Sequence, residues 1–272
     1  MSNRLMLRRM QSTVNPFLDA TIAFSLLDLG LGATNVIRVR RSSDDAEQDF
    51  TAGQILQGAG VSGSLLNFCG AGDGFVVFWY NQVLANHASQ TVKTLQPQIV
   101  ATGSLITDEL GNPTLLFENK YLEFDPFYVA SQSYVSYAMT YSLTANGVFP
   151  AVIGGSSAKG LLYLHTNVGR EPREVTVRTG GNTIDVLGLS VNLNTTNLFY
   201  LSANRINLLN RKNGVEILSI SDNNSDFVMQ TKIWIGQLSA NTSFLKINEI
   251  LGFISEPDVS AVESKIISNY GI

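Results

Sequence analysis

Few residues in this chain have the type and spacing to do chemistry. The two histidines are His87 and His165. Neither has a Ser or Cys partner at a spacing that marks a nucleophile with its base. His165 falls in mid-strand and reads as a packing residue, whereas His87 follows a turn where it could meet a ligand. Among the carboxylates, Glu118, Glu123 and Asp125 stand close together, and Glu123 and Asp125, two apart in an extended segment, share one face. That placement suits a working carboxyl pair, and the competing reading, which the sequence favours, is solvated charge at a sheet edge.

The densest charge constellation is Arg38, Arg40 and Arg41 with Asp44, Asp45, Glu47 and Asp49. It could grip an acidic sugar, but the opposite charges are adjacent and nearly balanced, so local ion pairs anchoring a strand are preferred. Asp222-Asn-Asn-Ser-Asp226 is oxygen-rich enough to ligate Ca²⁺. It lacks the glycine and distant Glu of a helix-loop-helix calcium loop and reads as a polar turn, so no cofactor and no metal site is expected beyond that Ca²⁺ option. The single cysteine, Cys69, excludes an internal disulfide and a zinc site built on cysteine pairs. It is expected to be a small buried hydrophobe. Gly154-Gly155 and Gly180-Gly181 read as turn residues, and no helix pattern follows either to cradle a phosphate.

The composition of the 272 residues narrows the function classes. Charged residues make up only 15%, against 44% apolar, and Gly, Ser, Thr and Asn take over much of the polar surface. This is the balance of a β-rich chain with many turns. The net charge of −4 argues against nucleic acid as a partner, since phosphate neutralisation needs a basic surface. Residues 126–158 carry no charge at all, yet Ser, Thr, Gln, Asn, Gly and Pro interrupt them too often for a membrane span. Met1 to Gln11 is basic through Arg4, Arg8 and Arg9 and lacks the apolar run of a secretory signal.

The elements that must position these groups are mostly strands. Asp19 to Leu27 has helical spacing, with Ala20, Ala23, Phe24 and Leu27 on one side and Asp19 as cap. Val36 to Arg41 alternates as a half-wet strand, and Ser42 to Asp49 is a polar loop. A short helix is expected around Ser64 to Phe68, stopped by Gly70. Phe75 to Tyr80 is apolar and aromatic throughout and reads as a central strand buried on both faces. In Val135 to Leu143, Val135, Tyr137, Met139, Tyr141 and Leu143 face one way, and Ser136, Ala138, Thr140 and Ser142 form a small-polar outer face.

Further strands are expected at Leu161–His165, Glu174–Arg178, Thr183–Leu187, Leu198–Ala203, Ile206–Asn210, Val215–Ile220, Lys232–Ile235 and Phe244–Ile254. Asn213-Gly214 supplies the tight turn of one hairpin. The chain closes on a helix with Ser255 as cap and Val259, Val262, Ile266 and Tyr270 on its apolar stripe. One domain over residues 19–272 is expected, preceded by an arm over residues 1–18 that would serve as tether or assembly segment.

Two blocks carry a resemblance. Ile37-Arg-Val-Arg-Arg-Ser-Ser-Asp44, Glu47-Gln-Asp49, Gly72-Asp-Gly-Phe75, Trp79-Tyr80-Asn81-Gln82 and Gln96-Pro-Gln-Ile-Val100 resemble concanavalin A-like jelly-roll domains of phage tail and other virion proteins. More distantly, they resemble the sandwich domain of fungal α-L-arabinofuranosidase B. Ile233-Trp-Ile-Gly236, Ile247-Asn-Glu-Ile250 and Asn269-Tyr-Gly271 look like the close of a laminin-G-like or lectin-like sandwich. The implied fold class is all-β, a concanavalin A-like jelly-roll β-sandwich with a few short helices and a C-terminal amphipathic helix.

The resemblance also departs from its pattern. The family's Trp-Tyr-Asp-Gln with its glycine-rich turn and His-Ala is here Trp79-Tyr80-Asn81-Gln82, then Val83-Leu84-Ala85-Asn86-His87-Ala88. The Asp-Met-Glu-Asn segment of the arabinofuranosidases is missing, and Ile235-Gly236 is followed by Gln237-Leu238-Ser239 without a carboxylate. The expectation is therefore a non-catalytic virion protein of a bacteriophage, not an enzyme, whose lectin-like module attaches to a host-surface glycan. Tyr80, Asn81 and His87 are its candidate carbohydrate-binding residues, with no catalytic residue assigned. Virion proteins are the other expected partners, a homo-oligomer, often a trimer, is what the resemblance implies, and the place is the virion, assembled in the host cytoplasm. The alternatives are a decoration or assembly protein and a glycoside hydrolase with relocated carboxylates.

Overall fold

The computed structural model describes residues 14–129, 132–145, 152–155, 162–165, 173–179, 182–185, 192–204, 207–221, 231–237 and 244–272. The expectations for Met1–Gln11, Gly180-Gly181 and Asp222–Asp226 lie outside the described residues. Within them, no helix is long and apolar enough to cross a membrane.

The first half of the chain forms β1 (Ile22–Ser25), β2 (Ile37–Arg41), β3 (Glu47–Phe50), helices α1 (Ala52–Leu56) and α2 (Leu65–Cys69), β4 (Gly74–Trp79), β5 (Ala88–Ser89), β6 (Gln98–Ala101), β7 (Ser104–Leu105), β8 (Leu115–Glu118) and β9 (Leu122–Phe124). The second half forms β10 (Tyr134–Leu143), β11 (Ile153–Gly155), β12 (Leu162–His165), β13 (Arg173–Thr179), β14 (Asn182–Asp185), β15 (Asn197–Asn204), β16 (Asn207–Lys212), β17 (Val215–Ser221), β18 (Ile233–Ile235), β19 (Phe244–Phe253) and α3 (Val259–Tyr270).

Strand pairing links sixteen of these strands, and β12, β13 and β14 pair among themselves. One half of the large sheet runs β11-β18-β9-β5-β4-β2-β3, and the other joins β8, β19, β10, β15, β16 and β17, with β1 added on β19. The halves share one core, to which the first contributes Ile37, Val76, Phe124 and Ile233 and the second Tyr141, Phe199 and Ile247. The fold is an all-β jelly-roll sandwich with short helices. We call the two halves the front and back layers.

Several local features follow their residues. Ser64 caps α2 by accepting from the Asn67 N–H at 3.1 Å, and Gly70 ends it. Asn213 and Gly214 hold φ of 48° and 80° in the turn between β16 and β17, the left-handed pair such a hairpin needs. Cys69 is buried, and burial pushes its thiol up to about 11, so it packs as a small hydrophobe.

Others correct the sequence. Ile22–Ser25 is a strand, not part of a helix, because it zips onto β19 with Ile22 opposite Gly252 and Phe24 opposite Ile250. Ile22 and Phe24 enter the main core while Ala23 faces α3, so both faces are apolar and the spacing mimics a helix. The polar loop ends early, since Glu47–Phe50 pairs with β2. The C-terminal helix is capped by Asp258, whose Oδ1 accepts from the Ala261 N–H at 3.1 Å, rather than by Ser255. Gly154-Gly155 belongs to β11 and is not a turn. The small-polar face of β10 is not wet: Ser136, Ala138, Thr140 and Ser142 are fully buried, and Ala138 packs in one cluster with Val262, Ile266 and Tyr270 of α3.

Candidate functional site: the outer face of the front layer

With α3 covering the back layer, the front layer is left with an outer face of its own. Its cross-strand registers make one row. Gly154 lies opposite Trp234, Trp234 opposite Glu123, Glu123 opposite Ser89, Ser89 opposite Phe78, Phe78 opposite Arg38, and Arg38 opposite Asp49. Directly opposed residues of antiparallel strands project on the same side. Inward neighbours confirm which side that is, since Ile233, Ile235, Leu122, Phe124, Ala88 and Trp79 are all in the core.

Phe78 is the instructive case. A strand that reads as buried on both faces turns Val76 and Trp79 inward and leaves Phe75 and Phe78 half-buried outside. The register shift opposite Arg38 and Val39 produces the spacing of three between the two outer phenylalanines. Each is covered by an arginine: the Arg38 Cζ lies 5.4 Å from the Phe78 ring centroid and the Arg40 Cζ 4.9 Å from that of Phe75. Arg41 repeats the motif on Phe68 at 4.9 Å.

The charge constellation resolves into pairs. Arg38 holds both oxygens of Asp49, Nε to Oδ1 at 2.7 Å and a terminal nitrogen to Oδ2 at 3.1 Å. Arg40 and Lys93 share Asp45 at 2.7 Å each, and Arg41 holds Asp44 at 2.7 Å. This is the anchoring role the sequence favours for them. The Arg38 guanidinium holds the Asp49 carboxyl below the usual carboxylate range.

Two aromatic groups flank the middle of the row. On one side, the Tyr80 ring stacks parallel to Phe78 at 6.1 Å and meets His87 edge-on at 4.9 Å. Burial, then the bond to Asp49, push the Tyr80 hydroxyl up to about 12. Burial lowers His87, which keeps its imidazole neutral at neutral pH, and its Nδ1 accepts from the Asn81 N–H at 3.1 Å. On the other side, the Tyr121 and Trp234 rings lie 5.4 Å apart. Between the two groups stand Glu123 and Ser89, and beside Glu123 lies Asp125, which pairs with Lys232 at 2.8 Å.

The candidate residues therefore part company. Tyr80 and His87 are brought together on the outer face. Asn81 is buried, and its Oδ1 accepts from the N–H groups of Ala23 at 2.9 Å and Val83 at 3.1 Å, so it ties β1 to the turn after β4. Glu123 and Asp125 reach the same face, while Glu118 ends β8 and is exposed. Phe78, Tyr121 and Trp234 join the site without having been singled out. Alternation in Ile233-Trp234-Ile235 carries the signal for Trp234, because two core isoleucines force the residue between them outward. Among the described residues, no group of three His, Cys, Asp or Glu is arranged to hold a metal.

No protein-family model and no curated protein matches the chain. Its fold is similar to that of solved structures. A GH54 α-L-arabinofuranosidase soaked with a cyclic sulfate inhibitor is 12% identical, with a TM-score of 0.68 over 94% of this chain and 66% of that one. An arabinofuranosidase complexed with arabinofuranosyl-α-1,2-xylobiose gives 12% identity, a TM-score of 0.67, and coverage of 94% and 65%. Trypanosoma rangeli sialidase gives 11%, a TM-score of 0.51, and coverage of 98% and 39%. The chain thus spans just under two thirds of the length of the arabinofuranosidases it matches. At these identities the likeness establishes the jelly-roll sandwich.

The expectation of a non-catalytic bacteriophage virion protein, and with it the expectation that the chain is no enzyme, is corrected here. The arabinofuranosidase structures that share its fold over 94% of its length are not virion proteins, and at 12% identity they carry the fold to this chain and no activity.

Proposed function

We propose that this chain is a glycoside hydrolase whose working face is the outer face of the front layer, with Glu123 and Asp125 as its carboxyl pair. The observation that supports this best is the row itself, in which Glu123 stands between two groups of outward aromatic side chains. Sugar recognition uses aromatic faces against the apolar side of a ring and planar polar groups against its hydroxyls. Tyr80 and Trp234 supply the first, with Phe78 beneath Arg38 backing the Tyr80 ring, and Arg38, His87 and Glu123 supply the second.

Hydrolysis of a glycosidic bond needs one carboxyl to protonate the leaving oxygen and a second to serve as nucleophile or to activate water. In this reading Glu123, cross-strand from Trp234, gives the proton. In the same reading Asp125, anchored by Lys232 and by the Asn86 side chain at its backbone, holds the water.

The test is release of reducing sugar from a panel of arabinose-, xylose- and sialic acid-containing glycans by the wild-type chain and by Glu123→Gln and Asp125→Asn. The reading expects hydrolysis that falls by about 10²–10⁴-fold in each variant. Hydrolysis that survives both substitutions assigns the chemistry elsewhere.

A further inference from the structure

The two aromatic groups are not neighbours. Trp234 stands on β18 and Phe78 on β4, with β9 and β5 between them. Three inter-strand steps of about 4.8 Å put them roughly 14 Å apart across the sheet. One sugar ring cannot touch both. Glu123 and Ser89, the two residues in the gap, have short or acidic side chains, so no bulky aromatic in the row closes the path between the platforms.

A pocket for a single terminal sugar would be built differently, with its aromatic residues converging around one carboxyl. Here they are strung along a line perpendicular to the strands, with Glu123 in the interior of that line and polar side chains at its far end, where Arg38 is fixed by Asp49. Fixed guanidinium and aromatic groups lose little conformational freedom on binding, which favours recognition spread over separate subsites.

We infer that the face takes an extended glycan chain laid across the strands, one segment on Trp234 and Tyr121 and another on Phe78 and Tyr80, so that the bond presented to Glu123 is internal to the chain. This deepens the hydrolase reading and rests on it for the role of Glu123. The substrate class is a linear or sparsely branched polysaccharide, and the mode of attack is endo.

The experiment measures binding of linear xylo-, cello- and galacto-oligosaccharides of one to six residues to the Glu123→Gln chain by calorimetry, in the full-length protein. The expected result is affinity in one series that rises by about tenfold or more between two and six residues, as the second platform is reached. Trp234→Ala and Phe78→Ala should each abolish that rise while leaving short oligosaccharides bound. Because either truncation could disturb the sheet, Ser89→Trp serves as a second probe: a bulky group between the platforms should weaken the hexasaccharide by about tenfold and spare the disaccharide. Affinity independent of length, with hydrolysis still stopped by Glu123→Gln, overturns the extended path and leaves the hydrolase reading standing. Binding in none of the three series overturns the extended path, and the hydrolase reading then stands or falls on the reducing-sugar assay.

Discussion

The Tyr80 hydroxyl donates to Asp49 Oδ1 at 2.7 Å, the same oxygen that receives the Arg38 Nε at 2.7 Å. One carboxylate thereby positions both polar tips of the Phe78 platform, from a strand that looks in sequence like loop. Asp49 is a positioning residue for that platform, reached through Arg38 and Tyr80.

Substitution Asp49→Asn should therefore cost more than Tyr80→Phe. The phenylalanine removes one hydrogen bond, worth about 1 kcal/mol, and leaves the Arg38 pair intact. The asparagine removes the charge that Arg38 grips with two bonds, and about 2 kcal/mol is expected. Chemical denaturation of the two variants checks the order. Equal costs would mean that the guanidinium finds no more in Asp49 than in solvent.

A second prediction concerns Glu249, buried on β19 beneath α3. Its Oε2 accepts from the Tyr270 hydroxyl at 3.1 Å, and that hydroxyl also lies 3.2 Å from Ser25 Oγ. Burial raises the carboxyl from 4.5 to about 7, with Ser25, Tyr270 and the Lys265 charge opposing the rise only in part. The folded chain thus holds a proton that the unfolded chain gives up. Stability is greatest below about pH 4.5 as far as this group is concerned, and is lost as pH rises to about 7. At about 1.4 kcal/mol per pH decade the loss is on the order of 3 kcal/mol. Glu249→Gln, which cannot ionise, should flatten that stretch of the curve. An unfolding free energy that falls between pH 5 and 7 by as much in the variant as in the wild type would contradict the assignment.

Gly236 gives a test of how β18 is held. Its φ of 89° lies in the left-handed region, and a Cβ there would meet the Phe117 ring, 2.8 Å from Cγ, and the Lys120 carbonyl oxygen at 3.0 Å. Gly236→Ala should cost about 3 kcal/mol or more, from backbone strain and overpacking together. Since Trp234 is two residues away, the same variant should also weaken glycan binding. Unchanged thermal stability would show that the turn after β18 relaxes freely.

Much of the architecture was legible in the residues. The capped helix at Ser64, the Asn213-Gly214 turn and the apolar stripe of α3 each rest on a local signal that the structure keeps, while the jelly-roll class came with the resemblance and holds. What misled were segments where both faces are apolar for different reasons. In β1 one face meets the core and the other meets α3, and the resulting run imitates a helix. In β4 the outward Phe75 and Phe78 look like core until their arginine covers are seen. The candidate site was half legible for the same reason. Tyr80 and His87 follow a motif, but Phe78 and Trp234 become neighbours of Glu123 only through pairings between strands far apart in sequence. Asn81 stood in that motif for a structural task, since its side chain closes the hydrogen bonds of β1.

The chain has two tryptophans, and the fold sends them to opposite sides: Trp79 into the core, Trp234 onto the outer face of the front layer. Titrating the isotopically labelled Glu123→Gln chain with an oligosaccharide that the wild type cleaves, while following the two indole N–H signals by NMR, tests the central claim directly. The predicted result is a progressive shift of the Trp234 signal, abolished in Trp234→Phe as its assignment, with the Trp79 signal unmoved. A cleaved oligosaccharide that binds and leaves the Trp234 signal where it was would contradict the assignment of this face.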